Sequence, residues 1–276
     1  MNDETLSNLG FYWRERFGVK MLVSRILEQN GFANGFSTRL GGVSDFPENS
    51  LNLAGFDEDS AENIYENRRR FLELFDGDYS LTSVWQIHGN GVKLIKNEQD
   101  ARNDEEKFDA LTSNLSKLLI GVKTADCVPI LIGDPKTASY AAVHAGWRGT
   151  LSSIAAKAVE MMETKFGSAA ADLICAIGPA ATCANYEVGP EVVKAFGEKF
   201  STSGNIFTET ENGHAKIDLH RTNREQLSNL GVSPGNIFTA PICTMERTDL
   251  FFSYRREKKL YGKTGRLLSV IGLIEK

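Results

Sequence analysis

The sequence predicts an α+β fold, a layered sandwich in which helices flank mixed β-sheets. Short strand-like apolar runs alternate with helical patterns, but without a strict β-α-β rhythm. A chain of 276 residues with 41% hydrophobic content is long enough to bury one large core. Because the chain contains neither a repeat nor a clear linker, we expect a single compact domain over residues 1–276.

The first third of the chain predicts a turn, a strand and a helix. Asn30-Gly31 is typical of a turn, and the segment FSTRLGGVS at 36–44 indicates a strand entering a Gly-Gly turn. This would place Arg39 at a loop edge. Residues 57–75 predict a helix with an acidic first turn capped by Ser60, and we interpret its arginine run at 68–70 as a solvated face.

The middle of the chain is rich in predicted strands. Residues 81–87 and 92–95 are strand-like and flank HGNG at 88–91, which predicts a hairpin. Three more strands are predicted at 118–122, 128–132 and 138–143, with GDP at 133–135 as the turn between the last two. Residues 150–166 predict a helix that Thr150 caps and Gly167 ends.

The last third mixes both kinds of element. Helices are predicted at 190–200 and at 219–230, the second capped by Asp218 and closed by Gly231. Strands are predicted at 173–177, 237–240, 250–254 and 267–273.

Composition narrows the class of protein. The net charge of -5 and the pI near 5.5 argue against nucleic-acid binding through phosphate neutralisation. No stretch approaches the roughly 18 consecutive apolar residues of a membrane span, and the first residues lack the basic leader of a signal peptide. Four dispersed cysteines suggest reduced thiols. We therefore expect a cytoplasmic protein without membrane or nucleic-acid partners.

Three side chains suggest a metal site. His88, Cys127 and His144 each stand at the end of a strand-like run, beside glycine or small residues. Two imidazoles and a thiolate are ligands that zinc prefers, and three protein ligands leave a position for water or substrate. The ligands are 39 and 17 residues apart, so no local motif closes the site. Buried histidines and an inert core cysteine are the competing interpretation.

Several motifs, in this order along the chain, resemble one family. They are FSTRLGGVS (36–44), SLNL (50–53), QIHG (86–89), TADC (124–127), HAGWRGT (144–150), AIGP (176–179), YEV (186–188), CT (243–244), FFSYRR (251–256) and TGR (264–266). The chain resembles the laccase-domain family over about residues 32–275. Members of that family are labelled multicopper polyphenol oxidases and purine nucleoside phosphorylases.

The resemblance implies one compact α+β domain and one zinc ion per chain, held by His88, Cys127 and His144. It also implies phosphorolysis of adenosine, inosine and methylthioadenosine, together with deamination of adenosine. The partners would then be purine nucleosides and phosphate, and the protein would be a monomer or a small homo-oligomer.

Within those motifs, further residues are candidates for catalysis and substrate binding. Arginine grips phosphate bidentately, which makes Arg148 a catalytic candidate and Arg39 and Arg255 candidates for binding phosphate. Asn52 and Gln86 could read base or ribose edges. The role of Asp126 stays open between catalysis and structural hydrogen bonding, and Trp147 and Phe252 could stack on a purine or pack in the core.

Four other functions remain as alternatives. A copper oxidase would share the His and Cys ligands, but a multicopper centre needs many histidines and the chain has four. A metal-free hydrolase would use Cys127 as nucleophile and His144 as base. A structural zinc would need a fourth ligand, for which Cys183 and Cys243 are available. Editing of cell-wall precursors is the fourth, because some bacterial members of the family suggest it.

Overall fold

The structure is a computed structural model that describes residues 3–55, 59–102, 106–200 and 206–275. Helices α1 to α9 within these residues are Asp3–Asn8, Arg25–Gln29, Ala61–Leu72, Glu98–Arg102, Trp147–Leu151, Ile154–Phe166, Pro190–Lys199, Leu219–Asn229 and Tyr254–Tyr261. Strands β1 to β17 are Phe11–Arg16, Val19–Ser24, Phe32–Ser37, Ser44–Asp45, Glu48–Ser50, Ser80–Thr82, Val92–Ile95, Ala110–Ser113, Leu118–Thr124, Val128–Asp134, Ser139–Ala145, Ile174–Ile177, Glu187–Val188, Phe207–Glu209, Ala215–Ile217, Ile237–Thr239 and Leu267–Leu273.

Two six-stranded mixed sheets form the centre of the fold. The first has the order β1-β2-β3-β17-β9-β6 and the second the order β16-β12-β10-β11-β8-β7. Most neighbours are antiparallel, while β6 with β9, β7 with β8 and β12 with β16 pair in parallel. The described residues also form one sheet of three strands and one of two strands. The predicted α+β class with mixed sheets is confirmed.

Side-chain alternation along the strands separates the layers. On the second sheet Leu131, Tyr140 and Ala142 pack against residues of the first sheet, such as Ile120. The intervening Ile130, Ile132, Ala141 and Val143 point the other way and pack against α6, α7 and α8. The outer face of the first sheet packs against α3. The result is a helix-sheet-sheet-helix sandwich with three buried apolar layers.

Several helix signals in the sequence operate as predicted. The hydroxyl of Ser60 caps α3, and the carboxylate of Asp218 caps α8 by accepting from Arg221 N at 2.9 Å. Gly167, in the left-handed conformation, ends α6. Residues 57 and 58 of the helix predicted at 57–75 lie outside the described residues. No helix in the described ranges is both long and apolar enough to cross a membrane.

The predicted hairpin at 81–96 is wrong, because its two strands join different sheets. β6 pairs with β9 in the first sheet, whereas β7 pairs with β8 in the second. The segment between them is held by side chains elsewhere in the fold, above all by Asp109. The HGNG segment therefore crosses from one sheet to the other.

Two other predictions near the site also need correction. The helix predicted at 150–166 starts earlier, at Trp147, and breaks at Ser153, whose φ of 61° separates α5 from α6. Thr150 therefore lies inside α5, where its hydroxyl bonds the carbonyl of Ala145. The strand predicted at 250–254 is wrong: residues 250–253 are irregular, and α9 begins at Tyr254 after the N-cap Ser253. Burial of Phe251 and Phe252 explains the strand-like pattern.

Candidate functional site

The structure brings His88, Cys127 and His144 together. Cys127 directly precedes β10, and His144 lies near the end of β11, opposite Pro129 in the antiparallel pair. One ligand atom from each of the three side chains lies within 4.8 Å of the others. It is the one such cluster of three or more His, Cys, Asp or Glu side chains in the described residues.

Asp109 holds both histidines in place. Its Oδ1 accepts from Nδ1 of His144 at 2.8 Å and from the backbone N of His88 at 2.9 Å, and its Oδ2 accepts from Gly89 N at 2.6 Å. The bond to Nδ1 leaves Nε2 of His144 as the nitrogen that can bind a metal. The backbone bonds support His88 in a left-handed conformation, with φ of 59°.

Gly146 is required by the close approach of the cluster. A Cβ at this position would lie 2.9 Å from Sγ of Cys127 and 3.1 Å from Cδ2 of His88. A side chain here would therefore push the ligands apart, which gives the glycine of the HAGWRGT motif a physical reason.

The low pKa of Cys127 suits a metal, whereas His144 has to lose a proton before its Nε2 can bind one. Burial raises the pKa of the Cys127 thiol, but the charges and hydrogen bonds of His144 and His88 outweigh it and lower this pKa to about 6. Burial lowers the pKa of His144, yet the Cys127 charge and the bond to Asp109 raise it to about 9. Cys127 is thus mainly a thiolate at neutral pH, the form that binds metals.

Two imidazoles and a thiolate fit zinc, and they leave room for a substrate. Neither Cys183 nor Cys243 belongs to the described cluster, so the closed four-ligand site considered from sequence is not formed. His220 is bonded to the carbonyl of Gly178, and His214 to Glu187. The cluster therefore has the composition of an open, catalytic site rather than a closed structural one.

The cluster lies in a cleft of about 980 Å³. The described residues that line it include five basic side chains and one carboxylate, that of Asp126. The basic residues are Arg68, Lys123, Arg148, Arg255 and Arg266. A local cluster of positive charge in an acidic protein points to an anionic ligand.

Asp126 connects the metal ligand Cys127 to α9. Its buried carboxylate accepts from the hydroxyls of Thr244 at 2.7 Å and Ser253 at 3.0 Å, and from the backbone N of Arg255 at 2.7 Å. These bonds occupy the carboxylate, which supports the structural role considered from sequence. They also fix the start of α9, which carries Arg255 into the cleft.

Arg148 and Arg255 both line the cleft, each lying over an aromatic ring. The guanidinium carbon of Arg148 lies 4.2 Å from the Trp147 ring centre, and that of Arg255 lies 5.0 Å from the Tyr186 ring centre. Arg255 also donates to the carbonyl of Glu187 at 2.9 Å. Stacking of this kind orients a guanidinium and leaves its other donors for a ligand.

Gln86 lines the cleft, but Arg39 and Asn52 do not. Both polar ends of the Gln86 amide bond the main chain of Lys123 at 2.7 Å, so the side chain positions that strand. Asn52 accepts from the backbone N of Arg266 at 2.8 Å. Asn52 therefore fixes the backbone of Arg266, which lines the cleft, without lining the cleft itself.

Arg39 is part of a buried ion pair. Its guanidinium contacts Glu257 at 2.9 Å and lies over the ring of Phe252. The interpretation of Arg39 as a phosphate ligand at a loop edge is therefore replaced by a structural one. Phe252 is itself fully buried, which removes it as a stacking platform.

Sequence reasoning missed Asp109, Arg68 and several aromatic residues of the cleft. Asp109 immediately precedes β8, a position that resembles the placement of Cys127 before β10, and that likeness is the signal that could have found it. The sequence predicts that Arg68 lies with its neighbours on a solvated face, which is wrong for Arg68 alone. Arg69 and Arg70 do form ion pairs with Glu66, whereas Arg68 points into the cleft.

Replacing Asp109 should weaken metal binding. In Asp109→Asn one carboxylate oxygen becomes an NH₂ that cannot accept, so either the bonds from His144 and His88 or the bond from Gly89 is lost and the imidazoles lose their orientation. We expect metal affinity to fall by about 10- to 100-fold. Competition with a chromophoric zinc chelator measures this directly.

Asp134→Asn is the matched control, because Asp134 is also fully buried and hydrogen-bonded but lies at the far end of β10. It should leave metal affinity unchanged. Equal losses in both variants would mean that general destabilisation, not ligand orientation, explains the effect.

Comparison with known proteins identifies relatives over nearly the whole chain. The profile of the family described as multi-copper polyphenol oxidoreductase laccase matches residues 33–274. A Bacteroides thetaiotaomicron protein named purine nucleoside phosphorylase is 35% identical over 243 residues, covering 85% of this chain and 89% of its own length. An Escherichia coli protein named purine nucleoside phosphorylase YfiH is 34% identical, covering 92% of this chain and 99% of its own.

Solved structures show the same fold. The crystal structure of YlmD from Geobacillus stearothermophilus superimposes with a TM-score of 0.86 at 31% identity, covering 95% of this chain and 98% of the other. That of a Bacillus licheniformis hypothetical protein YfiH gives 0.85 at 30% identity, with the same coverage.

Proposed function

The chain belongs to the multi-copper polyphenol oxidoreductase laccase family, and we propose that it is a zinc-dependent purine nucleoside phosphorylase. The two relatives described above are both named purine nucleoside phosphorylases. The observation that carries this proposal is the open His88-Cys127-His144 cluster inside a cleft lined by basic side chains. Phosphorolysis needs a phosphate held beside the sugar carbon that it attacks, for which the cleft offers arginines, and a metal at the cluster would supply Lewis-acid assistance.

Phosphate would bind to the arginines of the cleft. Arg148 and Arg255 are held against Trp147 and Tyr186, so they present donors in fixed directions. The start of α9, fixed by Asp126, sets the position of Arg255 relative to Cys127. This arrangement would place phosphate next to the sugar carbon that it attacks, which is the positioning that bimolecular substitution requires.

We propose zinc rather than copper as the metal. Zinc bound to the cluster would supply Lewis-acid chemistry, which polarises a substrate oxygen or activates water. A blue-copper centre of this ligand type normally adds a weak axial methionine. No methionine lines the described part of the cleft. A reduced thiolate ligand also suits the cytoplasm, where we place the enzyme.

The proposed substrates are adenosine, inosine and methylthioadenosine. Cleavage with phosphate would yield the free base and ribose 1-phosphate or its methylthio derivative. Water activation in the same cleft would also support deamination of adenosine to inosine, which we include as a second activity.

Products from adenosine test this proposal. With phosphate present, mass spectrometry should detect adenine and ribose 1-phosphate, with inosine as a parallel product. Without phosphate, adenine should disappear while inosine remains. Adenine formed equally fast without phosphate would mean that the reaction is hydrolysis and not phosphorolysis. The absence of any product under both conditions would refute the proposed function.

A metal-free cysteine hydrolase is the second candidate, because Asp109 completes a nucleophile-base-orienter arrangement. His144 accompanies the Cys127 thiolate and is oriented by Asp109 at 2.8 Å. Removal of metal with a chelator separates the two candidates. A zinc enzyme should lose activity and regain it with zinc, whereas a cysteine hydrolase should stay active and be blocked by iodoacetamide.

A further inference from the structure

Four aromatic side chains line the described part of the cleft, and three of them carry an arginine over the ring. These pairs are Trp147 with Arg148, Tyr186 with Arg255, and Tyr254 with Arg266. The fourth aromatic, Trp85, is 51% exposed, and no described lysine or arginine covers its indole. Tyr254 is exposed to a similar degree, 49%, but Arg266 lies over its ring. Trp85 is therefore the most exposed of the four aromatic side chains and the one with no described cation over its ring.

The backbone around Trp85 is held on both sides. Trp85 N donates to the carbonyl of Glu106 at 3.1 Å, and Phe108 N donates to the carbonyl of Trp85 at 3.2 Å. The next residue, Gln86, is fixed by both ends of its amide. An exposed indole on a fixed backbone loses little conformational freedom when a ligand binds, which favours affinity.

We propose that Trp85 is the stacking platform for the heterocyclic base of the substrate, a step that rests on the proposed nucleoside chemistry. Nucleobases stack on aromatic side chains through their π-faces, and the larger purines offer more area than pyrimidines. Trp85 would therefore contribute both affinity and the preference for purines.

The distance between Trp85 and the cluster suits a nucleoside. Trp85 precedes His88 by three residues, so even a fully extended backbone separates their Cα atoms by no more than about 11 Å. A nucleoside whose base stacks on Trp85 would thus reach the metal ligands with its sugar. Arg148 and Arg255 line the same cleft, over the rings of Trp147 and Tyr186.

Calorimetric titration of the zinc-containing protein with inosine and with uridine, in phosphate-free buffer, tests this inference. Trp85→Ala should weaken inosine binding by roughly 5- to 150-fold, the range measured for base stacking on aromatic residues. The preference for inosine over uridine should shrink in the same variant. Trp85→Phe should retain part of both, because a phenyl ring still stacks.

Ile87→Ala is the matched control, since Ile87 is similarly exposed at 52% but does not line the cleft. It should bind inosine like the unmodified protein, and both variants should keep their zinc. Inosine binding within twofold of normal in Trp85→Ala would overturn the inference. A lower oligomeric state in both variants would also overturn it, because the exposed pair would then be a contact between copies of the chain.

The failure of the proposed function is a separate result. Turnover of adenosine by the unmodified protein tests the reaction, whereas the variant titrations test where the base lies. An unmodified protein that turns over adenosine while Trp85→Ala binds normally refutes stacking alone. An unmodified protein that neither binds nor converts nucleosides refutes both.

Discussion

Cys127→Ala should contain essentially no zinc and show no nucleoside turnover, while remaining folded. Cys127 supplies the one thiolate of the cluster, and two histidines alone make a weak zinc site. Metal catalysis contributes several kcal/mol to transition-state stabilisation, so the rate should fall by about a thousandfold or more. Elemental analysis and the adenosine assay measure the two effects, and the unmodified protein should contain about one zinc per chain.

The fold should survive because its core does not depend on the metal. The three ligands are carried by segments that two packed sheets already hold in place. Loss of zinc removes only the mass-action stabilisation, about 3 kcal/mol when free zinc is a hundredfold above its dissociation constant. Circular dichroism and thermal melts should therefore show a cooperative transition at a lower temperature.

Cys175→Ala provides the control within the same chain. Cys175 is fully buried in the second sheet, and burial raises the pKa of its thiol to about 12, so it is an inert core residue. This variant should keep its zinc and activity. A Cys127→Ala protein that is unfolded at room temperature would mean a structural zinc, and one that retains full turnover would remove Cys127 from the mechanism.

The part of the site that sequence could predict follows from local signals. Cys127 precedes β10 and His144 lies near the end of β11, so they meet because these two strands form a hairpin, which the sequence predicts. The turn of that hairpin lies at 135–138, slightly after the predicted 133–135. Side chains along β10 and β11 alternate between two faces that are both buried, which gives the layers. These features depend on neighbours in sequence or on a period of two residues.

The remaining features depend on contacts between distant segments. His88 joins the cluster because Asp109, about twenty residues away, binds the backbone at 88 and 89. Helix α9 was missed because its first turn is fixed by Asp126, 127 residues before Ser253, and follows two buried phenylalanines that resemble a strand. Such tertiary contacts override local patterns, and no spacing rule encodes them.

The wrong prediction for Arg39 has the same cause, a contact with a distant segment, here with Glu257. Replacing Arg39 should strongly reduce the free energy of unfolding. The side chains of Arg39 and Glu257 are only 10% and 6% exposed, so Arg39→Met leaves a buried carboxylate without its cation. Breaking a buried ion pair in this way costs about 3–5 kcal/mol of unfolding free energy. Denaturant unfolding measures the loss, and Arg69→Met, at an ion pair whose arginine is 57% exposed, should cost less than about 1 kcal/mol.

A double variant separates the structural role of Arg39 from phosphate binding. In Arg39→Met with Glu257→Gln no charge is left unpaired, and the glutamine oxygen can still accept from Ser253 N and the Thr264 hydroxyl. Most of the lost stability should therefore return, because replacing both charges removes the desolvation penalty. Phosphate KM should stay within about threefold of normal, since less than 1 kcal/mol of binding would be lost. A refolded double variant whose phosphate KM rises tenfold or more would restore Arg39 as a phosphate ligand and contradict its assignment to the core.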